Sequence, residues 1–317
     1  MYRVLSVDGG GMKGTFAAAF LAELESHLGD NIGRYFDLAV GTSTGGIIAL
    51  ALGSGHSATQ ILSFYKSRGP AVFTQTKRLP IQVFGPKYDM NRLGQELENV
   101  LGDKRLGDST IRLAIPTYQV NTGHSFIYRT PHHPDPEAHN HNARLVDVAL
   151  ATAALPIYFR PFTSEDGKVF VDGGLYAVNP VALGVVEAIG TLGWPAKKVR
   201  VLSLGPTRSE VSADLTEELN RGLASFYRKP YIYVDMIMRA QSSFSEQVAR
   251  TLLPGPGQVI RVNPLVGDKP YSLDTLDGLD RLEELGREEA RRLWPMLKPL
   301  FKKPAKPFVP QVPKAGG

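Results

Sequence analysis

Apolar residues in the N-terminal part of the chain alternate between short buried runs and one-sided helical spacing. Tyr2–Val7 is apolar on both faces, which is typical of a strand inside a sheet, and Gly14–Leu28 has its apolar residues on one side of a helix. The same order returns as a strand at Phe36–Val40 and a helix at Thr44–Leu52. Strand–turn–helix units with short connections predict an α/β fold, a three-layer α/β/α architecture around a mostly parallel central sheet.

The later part of the chain continues with elements of both kinds. Apolar runs predict strands at Ile111–Gln119, Ser125–Tyr128, Val169–Val171, Val199–Leu204 and Val259–Val262. Helical spacing predicts helices at Ala58–Lys66, Asn91–Leu101, Leu145–Ala154, Val181–Ile189, Leu215–Phe226, Tyr231–Arg250 and Leu276–Trp294. The spacing in Tyr231–Arg250 favours core packing, with an oligomer or membrane contact as the alternative. Gly69–Asp89 has no clear period and is interpreted as a lid or a substrate-facing loop.

Length and composition are those of a globular protein with a substantial core. The chain has 317 residues, of which 43% are hydrophobic and 21% charged, and no repeat or linker divides its body. It contains no cysteine, which excludes disulfides and thiolate metal sites and fits a reducing compartment. Neither a secretory signal nor an apolar stretch of about 20 residues is visible, so we expect a cytoplasmic protein without a membrane span.

The net charge of +5 is concentrated at the C-terminus. Residues 295–317 contain five lysines, six prolines and no acidic residue, which leaves the body of the chain near neutral. This composition predicts an extended or disordered basic tail outside the core. A solvated tail without a partner is the simpler interpretation. The alternative is attraction to anionic lipid headgroups, which is worth roughly 1 kcal/mol for each lysine near such a surface.

The segment 41–45, GTSTG, follows a predicted buried strand and opens a predicted buried helix. In this context the G-x-S-x-G pattern predicts a nucleophile elbow, a sharp turn that exposes a serine hydroxyl beyond the end of the sheet. Gly41 and Gly45 keep the turn free of bulk, and the N-terminus of the following helix favours negative charge near Ser43. We therefore predict a catalytic Ser43; a serine that only caps the helix is the structural alternative.

The order of residues along the chain limits what could activate Ser43. All seven histidines precede Asp172, so a triad in the chain order Ser…Asp…His cannot form. Asp172 ends a predicted apolar strand and is followed by Gly173 and Gly174. We therefore predict a Ser43–Asp172 dyad, in which burial raises the pKa of the aspartate above its usual value of about 3.9 and makes it a better base. A turn aspartate is the structural alternative.

A third glycine-rich turn, DGGGMKG at residues 8–14, joins the first strand to the first helix. Gly9, Gly10 and Gly11 expose successive backbone N–H groups, and such a nest could stabilise the oxyanion of acyl transfer. The spacing also matches the dinucleotide fingerprint G-x-G-x-x-G, but the second strand lacks the acidic residue that this fingerprint requires at its end. Lys13 precedes Gly14, whereas a P-loop lysine follows its glycine. An oxyanion loop is therefore favoured over nucleotide binding or a purely structural turn.

These three motifs, in this order, resemble the pattern of the patatin-like phospholipase family: D-G-G-G-x-[RK]-G, G-x-S-x-G and D-G-[GA]. The segments ATAALPIYF at 151–159 and NP at 179–180 are also similar to family segments, and the resemblance extends over about residues 2–190. We accordingly divide the chain into a patatin-like phospholipase domain at 1–294 and a Pro/Lys-rich basic tail at 295–317.

The resemblance implies hydrolysis of acyl esters in phospholipids, of the phospholipase A type, without metal or cofactor. It implies that Ser43 is the nucleophile, that Asp172 is the base and that Gly9–Gly11 form the oxyanion hole. Supporting motif residues would be Asp8, Lys13, Gly14, Gly41, Gly45, Gly173 and Gly174. The chain also resembles bacterial patatin effectors of anti-phage defence that are activated by cyclic nucleotides. Expected partners are thus the inner membrane surface, bound peripherally, a cyclic nucleotide and a second copy of the chain, but no DNA or RNA polymer.

Two other functions remain open from the sequence. The protein could be a general soluble carboxylesterase, or a nucleotide-binding regulatory module with a vestigial site. Turnover of esters separates the second from an enzyme, and comparison of monomeric esters with vesicle phospholipids separates the first from a phospholipase.

One polar loop, His132–Asn142, contains four of the seven histidines: His132, His133, His139 and His141. Clustered histidines can bind a metal. However, two prolines interrupt the segment, and it lacks a helical or hairpin frame that would fix ligand geometry. We therefore predict a solvated loop and no metal site; a contribution of this loop to a regulatory pocket stays open.

Overall fold

A computed structural model of the protein describes residues 1–73, 85–135, 138, 140–209, 220, 230–266, 273–274 and 276–310. Its strands are β1 (Tyr2–Val7), β2 (Leu38–Gly41), β3 (Arg112–Gln119), β4 (His124–Arg129), β5 (Phe162–Thr163), β6 (Val169–Asp172), β7 (Val199–Leu204), β8 (Arg208–Ser209), β9 (Val259–Val262) and β10 (Leu265–Val266). Eight of them form one sheet in the order β5-β6-β3-β2-β1-β7-β9, with β4 also paired to β3, while β8 pairs with β10.

Helices cover both faces of this sheet. They are α1 (Gly14–Leu28), α2 (Thr44–Gly53), α3 (Ala58–Phe73), α4 (Met90–Leu101), α5 (Leu145–Ala153), α6 (Gly174–Ala177), α7 (Val181–Val186), α8 (Pro230–Leu252) and α9 (Leu279–Leu297). One core cluster joins the sheet to α1–α5 and α9, and a second joins it to α7 and the end of α8. Along β1, Val4 belongs to the second cluster and Leu5 to the first, because successive strand residues face opposite sides. The predicted three-layer α/β/α architecture is confirmed.

The centre of the sheet is parallel, and one side of it is antiparallel. Strands β3, β2, β1, β7 and β9 run parallel to their neighbours, whereas β4 and β6 are antiparallel to β3. Residues 117–119 of β3 pair with both β4 and β6, so β6 lies along the same edge of β3 as β2 does. Strands β2 and β6 therefore approach each other end to end, and the residues that follow β2 meet the last residue of β6.

Several predicted elements have different bounds in the structure. Helix α3 continues beyond Lys66 and through Pro70 to Phe73, and α7 passes into a π-helical turn at Glu187–Thr191. The predicted helix at Leu215–Phe226 lies outside the described residues except for Asn220. The same holds for residues 74–84, which form most of the predicted lid. Among the described helices, none is long and apolar enough to cross a membrane.

Helix α8 does not pack in the way that its apolar spacing predicts. Val234, Ile237 and Phe244 are 48%, 53% and 68% exposed, and they recur at intervals of three and seven residues along one side of the helix. Among the side chains of α8 whose burial the structure describes, that of Ala249, near the C-terminal end, belongs to the core. The expectation of core packing is therefore wrong for this side of the helix. We refer to Val234, Ile237 and Phe244 as the α8 stripe.

Residues 295–310, the described part of the predicted tail, pack on the body and do not lie outside the core. Helix α9 runs through Pro295 to Leu297, and a 3₁₀ turn follows at Lys298–Phe301. The side chain of Phe301 is only 3% exposed, and its ring meets those of Tyr35 and Phe36 edge to face. The apolar residues between the lysines thus attach this segment to the core.

Polar contacts extend the same attachment to residue 308. The Arg3 guanidinium donates hydrogen bonds to the carbonyl oxygens of Leu300 and Lys303, at 3.2 and 2.6 Å. Further on, the buried ring of Phe308 lies 4.8 Å from the Arg112 guanidinium. Because Arg3 and Arg112 stand at the start of β1 and β3, the segment lies at the amino ends of the parallel strands.

We expect Phe301→Ala to lower the free energy of unfolding by about 3–5 kcal/mol, because truncation of a buried phenylalanine leaves a cavity in the core. Denaturant unfolding followed by circular dichroism measures this difference. Lys302→Ala is the matched control: its side chain is exposed, so the change should stay within about 0.5 kcal/mol. Equal stability of the two variants would show that the segment does not stabilise the fold.

Candidate active site

Ser43 lies on a strained turn between β2 and α2. Its backbone has φ 56° and ψ −122°, a region that residues other than glycine rarely adopt and that is found at functional sites. The turn is so tight that a Cβ atom on Gly41 would stand 2.1 Å from the carbonyl oxygen of Gly45. A Cβ atom on Gly45 would stand 2.1 Å from the carbonyl oxygen of Val7. Both glycines are required sterically, so the elbow geometry predicted from the sequence is present.

Two threonines hold the elbow in place. The Thr42 hydroxyl donates to the carbonyl oxygen of Ala177 at 2.6 Å, which ties the turn to α6. The Thr152 hydroxyl, on α5, accepts from the Ser43 N–H at 3.1 Å and donates to the carbonyl oxygen of Pro116 at 2.7 Å. The elbow around Ser43 is therefore held by hydrogen bonds to α6 on one side and to α5 on the other.

Asp172 meets Ser43 at the junction of β6 with β2. As predicted, Asp172 ends a strand, and because β6 runs antiparallel to β3 and ends opposite Thr117, this end lies beside Ser43. One carboxylate oxygen accepts a hydrogen bond from the Gly174 N–H at 2.7 Å, and both Asp172 and Ser43 line the same pocket. Burial raises the pKa of Asp172 to about 7, while the Gly174 N–H and the Ser43 side chain partly oppose the shift.

The glycine loop lies beside the same serine. The Gly9 N–H donates to the carbonyl oxygen of Val178 at 2.8 Å, and the Met12 N–H donates to that of Leu273 at 2.7 Å. Within the part of the chain that the structure describes, the N–H groups of Gly10 and Gly11 have no acceptor. Both glycines line the pocket that contains Ser43. Of the three predicted donors, Gly10 and Gly11 are thus available to a ligand, whereas Gly9 is already engaged.

Asp8, which precedes this loop, forms a buried ion pair that the sequence analysis did not predict. Its two carboxylate oxygens accept hydrogen bonds from Arg261 at 2.7 and 2.5 Å, and both side chains are less than one tenth exposed. Burial raises the pKa of Asp8, and the guanidinium opposes that shift. Arg261 also donates to the Ser203 hydroxyl at 2.8 Å. The sequence does contain a signal for this pair, because Arg261 is a charged residue inside the apolar run Val259–Val262.

The remaining motif residues shape the surroundings of the site. Gly14 allows α1 to approach α2, since a Cβ atom there would stand 2.3 Å from the Thr44 hydroxyl. Gly173 lies against the Pro116 carbonyl, where a Cβ atom would stand 2.2 Å from the oxygen. Lys13 follows the loop in a 3₁₀ turn, and burial lowers its pKa. Gly14 and Gly173 thus allow neighbouring elements to pack closely; neither they nor Lys13 line the pocket, whereas Gly174 does.

The pocket itself is deep and mainly apolar. Ser43, Asp172 and the glycine loop line one part of it. Elsewhere it is lined by hydrophobic side chains that include Ile47, Phe64, Val72, Phe73, Leu93 and Phe159. Ligand sites are typically apolar pockets of this kind, with a small number of polar groups that fix the orientation of the ligand. A single polar end in an apolar pocket suits a molecule with one polar reactive group and a long hydrocarbon chain.

The histidines lie elsewhere. Among the described residues, no histidine lines the pocket, and no group of three or more His, Cys, Asp or Glu side chains is placed to hold a metal ion. His132 does not belong to a solvated loop, as the sequence suggested: its side chain is 1% exposed and lies 3.1 Å from the Glu187 carboxylate. Burial lowers the pKa of His132. His139 lies outside the described residues.

The sequence of this chain is similar to those of known proteins. The sequence model of the family described as Patatin-like phospholipase matches residues 5–184, close to the span of the resemblance noted above. The chain is 34% identical over 258 residues to a cGAMP-activated phospholipase of Pseudomonas aeruginosa, a match that covers 80% of this chain and 75% of the relative. It is 35% identical over 234 residues to a cGAMP-activated phospholipase of Vibrio cholerae, covering 66% of this chain and 65% of the relative.

A plant protein is similar over a comparable length. Patatin group J-1 of Solanum tuberosum is 32% identical over 253 residues, which covers 69% of this chain and 64% of the relative. The chain therefore spans slightly less than two thirds of the Vibrio and Solanum relatives. The family model matches more than half of the chain, and the Pseudomonas relative is similar over most of both sequences. The chain belongs to the patatin-like phospholipase family.

Proposed function

We propose that the protein is a lipid acyl hydrolase of the phospholipase A type, which cleaves carboxylic ester bonds of membrane phospholipids. The observation that carries this proposal is that Ser43, on its strained turn, lines one apolar pocket together with the buried carboxylate of Asp172, whose pKa burial raises to about 7. A carboxyl group with this pKa is about half ionised at neutral pH, and its carboxylate form is a stronger base than that of an exposed aspartate. Ser43 and Asp172 are the proposed dyad.

In the proposed acylation step, the Ser43 Oγ attacks the ester carbonyl carbon while its proton passes to the Asp172 carboxylate. The negative charge on the carbonyl oxygen is stabilised by the free N–H groups of Gly10 and Gly11, with Gly9 shaping the turn. When the ester C–O bond breaks, Asp172 returns the proton to the leaving alcohol, which is the lysophospholipid. The acyl group remains on Ser43 as an ester.

Deacylation repeats the same proton transfers with water. A water molecule loses a proton to Asp172 and attacks the acyl carbon, and the oxyanion again lies against Gly10 and Gly11. The bond between the acyl carbon and the Ser43 Oγ then breaks, and the proton returns from Asp172 to Ser43. A free fatty acid leaves, so each cycle consumes one ester and one water. No step requires a histidine.

We further propose that a cyclic nucleotide activates the enzyme at the inner membrane surface, as part of antiviral defence. Two of the relatives described above carry the name cGAMP-activated phospholipase, which supports this assignment. The test is release of fatty acid from mixed phosphatidylethanolamine and phosphatidylglycerol vesicles, with and without a panel of cyclic dinucleotides, and with Ser43→Ala as the blank. Fatty acid release that increases at least tenfold with one nucleotide supports both the phospholipase assignment and activation by a cyclic nucleotide.

Other outcomes of this test identify the alternatives. Release that no nucleotide changes would reject activation but keep the phospholipase assignment. Hydrolysis of monomeric p-nitrophenyl esters without any attack on vesicles would identify a soluble carboxylesterase. Nucleotide binding without ester turnover under any condition would identify a regulatory module.

The surface that approaches the lipid is proposed to be the α8 stripe. Helix α8 lies at the pocket, because Met238 lines it and Gln241 donates to the carbonyl oxygen of Leu175 at 2.7 Å. Leu175, which follows Gly174, is itself 45% exposed. A row of exposed apolar side chains on a helix that lines the pocket suits partial insertion among lipid headgroups.

The basic tail is less well placed for this role. Lys302, Lys303 and Lys306 are exposed, but they lie at the amino ends of the parallel strands, whereas Ser43 follows their carboxyl ends. The six residues of β1 separate the two edges by roughly 20 Å at 3.3 Å per residue. This exceeds the Debye length of about 8 Å at physiological salt. Attraction of these lysines to lipid would therefore turn the pocket away from the membrane.

We expect Val234→Ser and Phe244→Ser, made together, to lower vesicle hydrolysis at least tenfold, because two large apolar side chains are lost from the lipid contact. Hydrolysis of a monomeric ester should be retained. Val309→Ser is the matched control, since Val309 is 76% exposed on the C-terminal segment. Vesicle co-sedimentation measures binding directly, and analytical ultracentrifugation shows whether the stripe instead joins two copies of the chain. Wild-type vesicle binding by the double variant would contradict the proposal.

We expect Gly10→Ala to lower kcat by about 10²-fold or more with little change in KM, because the donor would move away from the oxyanion. The added Cβ would stand 2.5 Å from the Cβ of Pro206, a rigid side chain, so the loop must shift. Steady-state kinetics on a monomeric ester measures both constants. Gly190→Ala is the control, since its Cβ would meet only Val186 at an ordinary 3.8 Å. Equal kcat values for both variants would argue that the loop is only a tight turn.

A further inference from the structure

The residue that follows Ser43 has a backbone N–H group without a partner. Thr44 is the first residue of α2, and it lines the pocket although only 4% of it is exposed. The N–H groups on either side are engaged: that of Ser43 donates to the Thr152 hydroxyl. That of Gly45 donates to the carbonyl oxygen of Thr42. Among the described residues, none accepts a hydrogen bond from the Thr44 N–H. Buried N–H groups are nearly always paired, so this one requires an explanation.

The glycine loop lies next to the same point of the chain. A Cβ atom on Gly9 would stand 3.4 Å from the Cβ of Ser43. Gly10 and Gly11, whose N–H groups are also free, come next in the chain and line the same pocket as Thr44. In α/β-hydrolases with a nucleophile elbow, the N–H after the serine and an N–H from a second loop stabilise one oxyanion. The Thr44 N–H and the glycine loop correspond to these two groups.

A hydroxyl group on α3 holds Thr44 in place. The Tyr65 hydroxyl donates to the carbonyl oxygen of Thr44 at 3.0 Å and also contacts the Thr44 hydroxyl. Because the Tyr65 hydroxyl has a single proton, it accepts the hydrogen bond that the Thr44 hydroxyl donates. The carbonyl group and the side chain of Thr44 are therefore both fixed, and the direction of its N–H is fixed with them.

The two hydroxyl groups are enclosed where α1, α2 and α3 meet. Tyr65, like Thr44, is 4% exposed. At the start of α1, a Cβ atom on Gly14 would stand 3.2 Å from the Tyr65 ring, so the helix backbone covers the pair. Burial raises the pKa of Tyr65, and its hydroxyl therefore keeps its proton at neutral pH. Hydrogen bonds in such surroundings are stronger than at the surface, where water competes for them.

We propose that the Thr44 N–H is a third donor to the oxyanion and that Tyr65 is the positioning residue that aims it. The proposal rests on the function proposed above, because it requires an ester carbonyl at Ser43. When the Ser43 Oγ bonds to the carbonyl carbon, its proton passes to Asp172 and the carbonyl oxygen becomes the oxyanion. Thr44 then donates to this oxygen together with the glycine loop. Without the Tyr65 hydroxyl, Thr44 loses both hydrogen bonds that orient it.

Three substitutions test the hydroxyl pair. Tyr65→Phe and Thr44→Val each remove one hydroxyl and keep the shape of the side chain. We expect each to lower kcat about tenfold with KM within twofold of the wild type, a smaller loss than the roughly 10²–10³-fold cost of deleting a donor, because the N–H remains. Thr44→Ser returns a hydroxyl and should recover most of the kcat that Thr44→Val loses. The double variant should lose less than the product of the two single effects, because both substitutions break the same contact.

Tyr35→Phe is the matched control for Tyr65→Phe. Tyr35 is also a buried tyrosine, and its hydroxyl donates to the Asp30 carboxylate at 3.3 Å. It does not line the pocket, so its kcat should equal that of the wild type. All rates are measured on a monomeric ester, in the presence of the nucleotide that supports vesicle hydrolysis.

An inhibitor that forms an oxyanion separates positioning of a donor from general damage to the pocket. The carbonyl carbon of an alkyl trifluoromethyl ketone bonds to the Ser43 Oγ, and its oxygen becomes an oxyanion at the site. The matching trifluoromethyl alcohol has the same chain but cannot form this bond. We expect Tyr65→Phe to weaken ketone binding about tenfold, in parallel with kcat, because the adduct resembles the transition state. Binding of the alcohol should stay within twofold, and inhibition constants measure both.

The outcomes separate this inference from the function on which it rests. If the wild type hydrolyses no ester, the proposed function fails and this inference fails with it. If the wild type hydrolyses the ester but Tyr65→Phe keeps kcat within twofold of the Tyr35→Phe control, only the role of Tyr65 is refuted. Equal weakening of ketone and alcohol would also overturn that role, because it shows a disturbed pocket. Should Thr44→Val fail to fold, Tyr65→Phe and the two inhibitors decide alone.

Discussion

Ser43→Ala is expected to abolish ester hydrolysis while leaving the fold intact. The hydroxyl is the only group that the proposed mechanism uses as nucleophile, and loss of a catalytic serine typically lowers kcat by about 10⁴-fold or more. The substitution removes one oxygen from a side chain that is only half-buried, so it should not disturb the core. Initial rates on a monomeric ester, with circular dichroism for the fold, measure the two effects separately.

A control and an independent probe make this expectation decisive. Ser63→Ala changes an exposed serine on α3 and should retain wild-type turnover. A fluorophosphonate, which reacts covalently with activated serines, should label the wild type and not the Ser43→Ala protein. Residual turnover near the wild-type rate in a preparation free of contaminating esterases would remove Ser43 from the mechanism.

Asp172→Asn is expected to be nearly as damaging, because an amide cannot accept the serine proton. The wild-type rate should also depend on this group: with a pKa of about 7, the carboxylate fraction falls tenfold for each pH unit below that value. A plot of kcat/KM against pH should therefore rise through about pH 7 to a plateau. A plateau that already begins near pH 4 would show that the base is not a buried aspartate.

The raised pKa of Asp172 also makes the stability of the folded state depend on pH. The pKa of Asp172 is raised from 3.8 to about 7 on folding, so the folded state holds its proton more tightly than the unfolded state. Stability from this group is fully present below about pH 3.8 and is lost progressively as pH rises from there to about 7, with a slope of about 1.4 kcal/mol per pH unit in that window. Asp172→Asn should lack this slope. The difference between the two unfolding free energies, measured from pH 4 to 8, isolates it from other titrating groups.

The histidines provide the opposing test. If a histidine outside the pocket acted as base, its replacement would remove activity as completely as Asp172→Asn. Each of the seven should therefore be replaced by alanine and assayed. His132 needs a separate check of stability, since its buried contact with Glu187 makes structural loss the expected effect. Loss of activity in a folded histidine variant would overturn the dyad.

Local turn chemistry explains why much of the fold and of the site could be predicted from the sequence. A sharp strand-to-helix turn around Ser43 needs glycine at 41 and 45 because the backbone passes within contact distance there, and this requirement is visible in the sequence itself. The alternation of short apolar strands with helices similarly predicted the three layers of the fold. Strands Tyr2–Val7, Val199–Leu204 and Val259–Val262 have the predicted bounds because their apolar runs end at turn residues.

Contacts between distant segments could not be predicted in this way. The strand β6 pairs antiparallel with β3, which is why Asp172 meets Ser43 end to end; strand direction depends on the path of the whole chain. Arg261 lies far along the sequence from Asp8, and their ion pair exists only because β9 and β1 flank β7. Which N–H groups of the glycine loop are hydrogen-bonded likewise depends on where the fold places the carbonyl oxygens of Val178 and Leu273.

The sequence by itself determined the layered α/β architecture, the elbow at Ser43, the glycine loop and the absence of a histidine after Asp172, because each is a property of consecutive residues or of their order. Only the tertiary structure decided which apolar side chains are buried. Phe301 and Phe308 are buried in a segment whose lysines and prolines suggested an exposed tail, while Phe244 is exposed on a helix whose spacing suggested the core. Burial depends on which surface lies opposite a side chain, and only the folded chain supplies that surface.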